Sequence, residues 1–225
     1  MAENIAILLL GGIVGLIMEK LSINLINKRV SDLRIIRFSG TRAKTLMWAV
    51  INSLNWFFLV WINGMQANTI ECMLLISVSI ILSVVDITIK KIPNELILLT
   101  LIIGASFMIT DNRLGSIGIS LIGFALGFIM FLVPAFIGKG AGWGDVKYAA
   151  VVGFCLGIYG FLTAIIIMTL LLLVYTVYLL LTGKGNLKTK IALGPFMAFG
   201  FVSVLIINII NSQALIFDLG RLING

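Results

Sequence analysis

Few side chains in this sequence can do polar chemistry, and two aspartates among them occupy unusual positions. The 225 residues include nine acidic side chains and no histidine. Without histidine there is no common general base or metal ligand, and no Ser-His or Cys-His pairing. Glu3, Glu19, Asp32, Asp111 and Asp218 read as water-accessible, and Glu71 opens an apolar run at its outer face. Asp86 instead closes an apolar run, and Asp145 opens another inside "GKGAGWGDVKYAAVVG", Gly138 to Gly153. Two carboxylates at close range cannot both ionise, so such a pair holds one proton and titrates as a unit. The ionised member can take a proton from water while the protonated member donates to a carbonyl. That chemistry hydrolyses a peptide bond with neither metal nor covalent intermediate. Two other uses stay open on the residues alone: ion coupling, and boundary salt bridges of Asp86 with Lys90 and Asp145 with Lys147.

The elements that must position these residues are membrane spans. The chain is 60% hydrophobic and 11% charged, with a mean hydropathy of +1.18. A soluble domain carries about 25% charged residues, so the composition implies an all-α polytopic membrane protein. A crossing needs about 20 apolar residues. The runs are Ile5–Met18, Leu46–Ile62, Thr69–Val85, Leu96–Ile109, Ser116–Ile137, Tyr148–Leu181 and Ile191–Ile210. The sixth is too long for one crossing and divides at "GIYG", Gly157–Gly160, making about eight helices.

The basic residues test that count. Lys20, Lys28, Arg29, Arg34, Arg37, Arg42 and Lys44 fall between the first two spans. Lys90 and Lys91, then Lys139 and Lys147, then Lys184, Lys188 and Lys190 fall on the same side. Only Arg113 and Arg221 are opposite, so fourteen of the sixteen share one face, which the positive-inside rule makes cytoplasmic. Both termini are then extracytoplasmic, and the start of the chain reads as a first span with no cleavable signal. Residues 1–225 form one domain. Its sizeable loop, Glu19–Thr45, is basic and cytoplasmic, and reads as a segment that sets topology and binds headgroups, or alternatively as a docking surface for a substrate. The net charge of +7 therefore reports topology, and nucleic acid is not an expected partner. Cys72 and Cys155 are isolated, with neither disulfide framework nor zinc spacing, so no metal or cofactor is expected.

If the segments are helical throughout, Asp86 lies about 22 Å from Glu71, and Asp145 about 21 Å from Tyr159. That puts both carboxylates at one shallow depth on the cytoplasmic side, facing a bundle interior or aqueous cavity. Glycines 138, 140, 142 and 144 permit close backbone approach or positive φ. Irregular backbone at that depth is tolerated where it lines a cavity. Pro93 starts the next helix as a first-turn residue.

Three segments in order resemble the type IV prepilin peptidases, the A24-type GxGD aspartic proteases. They are Asp86 followed by "IPN" at Ile92–Asn94, "GWGDVK" at Gly142–Lys147, and "KIALGPFMAFG" at Lys190–Gly200. The resemblance implies that Asp86 and Asp145 are the catalytic pair. Gly142, Gly144, Lys147, Pro93, Asn94 and Glu95 become substrate-binding or supporting residues. It also implies a multi-pass protein of the cytoplasmic (inner) membrane. Its substrates would be prepilins or pseudopilins, cut after a glycine that follows a short basic leader. Glu95, Glu19 and Asp32 are the acidic groups available to position that leader. Many bacterial members carry a cysteine-rich loop and also methylate the new N-terminus; Glu19–Thr45 has no cysteine, which removes a zinc site and puts methylation in doubt. The competing reading is an ion- or proton-coupled transporter using the same two aspartates, although no internal repeat supports it.

Remaining features have packing explanations. Gly11, Gly12 and Gly15, and Gly123 with Gly127, have small-residue spacing that suits close helix contact. Asn52, Asn55, Asn63 and Asn208 read as interhelical hydrogen-bond donors. Lys147 either biases the protonation of the aspartate pair or snorkels to headgroups. Trp143 either lines a substrate channel or anchors at the boundary.

Overall fold

The computed structural model describes residues 2–29, 42–110, 113–137, 142–183 and 191–224. The described residues form seven α-helices and one 3-10 turn, without strands. In chain order the helices are α1 (Ala2–Asn27), α2 (Arg42–Asn63), α3 (Ala67–Ile89), α4 (Asn94–Thr110), α5 (Ile117–Phe136), α6 (Trp143–Leu181) and α7 (Gly194–Asn224). The 3-10 turn, Arg113–Ser116, joins α4 to α5. Six helices are long and apolar enough to cross a membrane, and a shorter apolar one covers Asn94–Ile109. Large apolar side chains such as Leu9, Ile13, Trp61 and Leu181 point outward. A water-facing helix would carry polar groups there.

The most enclosed helix is α3, which packs against α1, α2, α4 and α7. Its face of Leu75, Val78, Ile81, Leu82 and Val85 is almost wholly buried. Polar groups fix its partners. Asn52 on α2 donates to the Gly11 carbonyl of α1 at 2.9 Å, and accepts the Ser77 hydroxyl of α3 at 2.7 Å. Trp56 donates its indole N–H to Ser77 at 3.1 Å. Such bonds hold apolar helices together where no hydrophobic force distinguishes a neighbour from lipid.

The small-residue stripes are contact surfaces. A Cβ at Gly123 of α5 would lie 2.2 Å from the Gly153 carbonyl of α6, and one at Gly15 would lie 2.6 Å from the Trp48 carbonyl. The α5–α6 contact is the most extensive among the described residues. As one straight rod, the 39 residues of α6 would span about 58 Å, roughly twice the hydrocarbon thickness. Gly157, at φ 67° and ψ −178°, breaks it at the point where the sequence calls for a division. Only glycine enters that backbone region readily. The first half of α6 lies on α5, and beyond the break Ala164 and Met168 meet Gly200 of α7.

The structure differs from the sequence expectation over Glu19–Thr45. Here α1 runs on to Asn27 and α2 begins at Arg42, with residues 30–41 outside those described. Glu19 is buried at 6% exposure, not water-accessible. Its carboxylate accepts the Thr45 hydroxyl at 2.9 Å, so its charge marks a helix–helix contact and not a helix end. Glu71 is likewise buried within α3. Of the four asparagines, Asn52 and Asn63 bond as expected, whereas the buried Asn55 Nδ2 has no hydrogen-bond partner.

Candidate active site

Asp86 sits in the last turn of α3, and Asp145 in the first turn of α6. A cavity of about 300 Å³ is lined by both carboxylates together with Asn94, Gly142, Trp143 and Gly144. Each carboxylate has a backbone amide as its hydrogen-bond partner. Asp86 is 4% exposed, and its Oδ2 accepts the Gly194 N–H at 2.9 Å. Asp145 is half-buried, and its Oδ2 accepts the Gly142 N–H at 2.7 Å.

Local sequence explains this geometry. Gly142 is the N-cap of α6 and Asp145 its third residue, so the carboxylate closes the first turn on an orphan amide and lies at the positive end of the helix dipole. Gly142 itself is extended at φ −87°, and the one described non-glycine residue at positive φ is Lys90, φ 51°, which ends α3. Glycine at 144 permits a close approach. A Cβ there would lie 3.1 Å from the Ile92 side chain and 3.3 Å from its carbonyl. The segment Lys90–Asn94 can therefore lie directly against the start of α6. Gly194 is tighter still, since a Cβ would fall 2.7 Å from Asp86 Oδ2. Gly138 and Gly140 lie outside the described residues.

The other residues singled out by sequence divide around this cavity. Asn94 lines it, and its Oδ1 accepts Lys147 Nζ at 3.2 Å. Lys147 thus bridges α6 to the start of α4 without lining the cavity. Pro93 is buried just before α4, and its carbonyl accepts the Leu96 N–H at 3.2 Å. Glu95 lies outside the cavity, paired with Arg29 at 2.6 Å and Lys28 at 3.8 Å. Trp143 is exposed and meets Phe136 edge to face, so it stands both at the cavity rim and at the surface.

Sequence reasoning missed the basic rim of the cavity, naming Lys90 only as a salt-bridge partner of Asp86. Arg29, Lys90 and Lys91 line the cavity and make its rim basic. The contact of Gly194 with Asp86 was also missed, although the Gly-Pro pair that opens α7 signals a position with a special backbone requirement. Nothing local marks Arg29, which reaches the site from α1. A second, mostly apolar cavity of about 370 Å³ shares Asn94 and lies between α4, α5 and α6.

An all-helical, multi-pass membrane protein with two aspartates on one cavity is the class that fold and site define. Residues 73–177 match the type IV leader peptidase family, a segment that contains both aspartates. Over 141 residues the chain is 31% identical to the prepilin leader peptidase/N-methyltransferase of Bacillus subtilis (strain 168). That match takes in 62% of this chain and 56% of the relative, so the chain spans about half the length of the relative it resembles. No solved structure matches. The chain is thus an α-helical, multi-pass membrane protein whose residues 73–177 are similar to the type IV leader peptidase family.

Proposed function

We propose that the chain is a membrane aspartic endopeptidase that removes the basic leader of prepilin-type proteins, using Asp86 and Asp145 as its catalytic pair. The observation that carries this reading is the shared cavity of the two aspartates, each held by a backbone amide, within the segment that matches the family. In each carboxylate one oxygen is occupied by that amide and the second serves the reaction. One aspartate activates water as the other protonates the scissile carbonyl. Asn94, Gly142 and Gly144 shape the cavity, and Lys147 holds Asn94 in place.

We read eight crossings, two of them from α6 through its Gly157 break; the distribution of basic residues favours both termini outside the cell and the cavity toward the cytosol. The protein would reside in the cytoplasmic membrane. A cavity at the ends of α3 and α6 can meet a bond at the water–lipid boundary. The apolar helix that follows the cut would lie along the groove between α4, α5 and α6, which reaches the same Asn94.

The test is cleavage of a peptide carrying a basic leader, a glycine and an apolar stretch by purified protein, followed by mass spectrometry. Cleavage after the glycine by wild type, lost in Asp86→Asn and Asp145→Asn, supports the reading. A fully active single variant would sink the pair assignment. A folded wild type that cuts no leader peptide returns the two aspartates to ion coupling.

A further inference from the structure

The peptidase reading leaves one part of the site without a role, the ion-paired cluster beside the cavity. At the end of α1, Arg29 Nη2 lies 2.6 Å from Glu95 Oε2, and Lys28 Nζ lies 3.8 Å from Glu95 Oε1. Two adjacent cations of the chain therefore sit on one carboxylate, one at each oxygen. Arg29 also lines the cavity of Asp86 and Asp145, so a cation on Glu95 stands at the edge of the site. The Glu95 side chain keeps 44% of its exposure and is open to the surface.

The surrounding charges favour exchange. Lys90 and Lys91 line the cavity, and Lys147 is bound to Asn94 one residue from Glu95. A basic leader approaching this rim meets repulsion from each of them. Among the described residues, Glu95 is the carboxylate at this rim, apart from the proposed catalytic pair, that can offset it, and two resident cations already hold it. Exposed ion pairs of this kind hold weakly, so a leader cation can replace them at small cost. Arg29 keeps a hydrogen bond to the Leu25 carbonyl at 3.3 Å, which tethers it to its own helix while Glu95 changes partner.

Building on the peptidase reading, we propose that Lys28 and Arg29 occupy, on Glu95, the seat of a basic residue of the substrate leader and compete with it. The pair is a resident surrogate that sets how strongly leader charge counts. A leader with enough positive charge displaces it, whereas a neutral leader gains nothing from the seat. Arg29 and Lys28 then act on specificity through Glu95, and touch none of the reacting atoms.

The experiment uses full-length protein in lipid nanodiscs and two leader peptides, one with lysines and one with glutamines in their place. Lys28→Gln/Arg29→Gln lowers the ratio of KM for the basic peptide to KM for the neutral one by roughly fivefold, or about 1 kcal/mol. Glu95→Gln raises that ratio by a similar factor, and Arg29→Lys restores the wild-type ratio. A purely structural clamp predicts the reverse for Arg29: its loss would impair both peptides equally or raise KM for the basic one, and either result overturns the proposal. Fluorescent-peptide binding to Asp145→Asn protein separates the two readings. Binding that follows the predicted order without wild-type cleavage overturns only the peptidase assignment. Binding that ignores leader charge overturns the competition.

Discussion

Asp145 accepts the Gly142 N–H at 2.7 Å, so the carboxylate assigned to catalysis also closes the first turn of its own helix. The two roles need different oxygens and can be separated by substitution. Asp145→Asn keeps an acceptor for the Gly142 amide and removes the acid. Cleavage should fall at least a thousandfold with the melting temperature nearly unchanged, read by mass spectrometry and by thermal unfolding in detergent. Asp145→Ala should lose cleavage and also about 1 kcal/mol of stability through the missing cap. A stable, active asparagine variant would refute the assignment.

Gly194 tests the second carboxylate without touching it. Gly194→Ala places a methyl group 2.7 Å from Asp86 Oδ2, and either α7 or the carboxylate has to shift. We expect cleavage to fall more than tenfold, since small misplacements of reacting groups are costly. Gly115→Ala, where nothing lies within 4 Å, is the matched control. Equal activities in the two variants would show that the Asp86–Gly194 contact is dispensable.

The α5–α6 contact predicts a stability effect separate from chemistry. A Cβ at Gly153 falls 2.1 Å from the Gly123 carbonyl, which is backbone and cannot rotate away. Gly153→Ala should cost about 1–3 kcal/mol or more, the range for overpacked interiors. Gly118→Ala, on α5 with open space around it, should leave the unfolding transition where it is.

Cleavage should follow a bell-shaped pH profile. The pair needs one proton, so activity falls at low pH when both carboxyls are protonated and the base is lost. It falls at high pH when both are ionised and the acid is lost. Initial rates with a glutamine leader, whose own charge does not titrate, isolate this effect. A profile that only rises with pH would mean that a single carboxylate suffices.

Much of the candidate site was legible because its parts are local. "GWGD" sets Asp145 at a helix start, and Asp86 sits shortly before "KKIPN", which must turn sharply. Gly157 was legible for the same reason, since an apolar run of that length has to break. The extent of α1 was not legible. A charge at Glu19 reads as the end of a span, yet Thr45 satisfies it from α2 and lets the helix continue. Arg29 and Gly194 escaped for a related reason. Their importance lies wholly in partners 66 and 108 residues away, and no local pattern encodes them.

The distance along the chain between Asp86 and Gly194 also has a consequence in time. The amide that holds the buried carboxylate is synthesised 108 residues after it. At about 5–20 residues per second the interval is roughly 5–20 s. Within it α4, α5 and α6 are made and can enter the membrane beside other newly made proteins while the cavity still lacks one wall. The helix that carries Gly194 is therefore the one that completes the surroundings of Asp86.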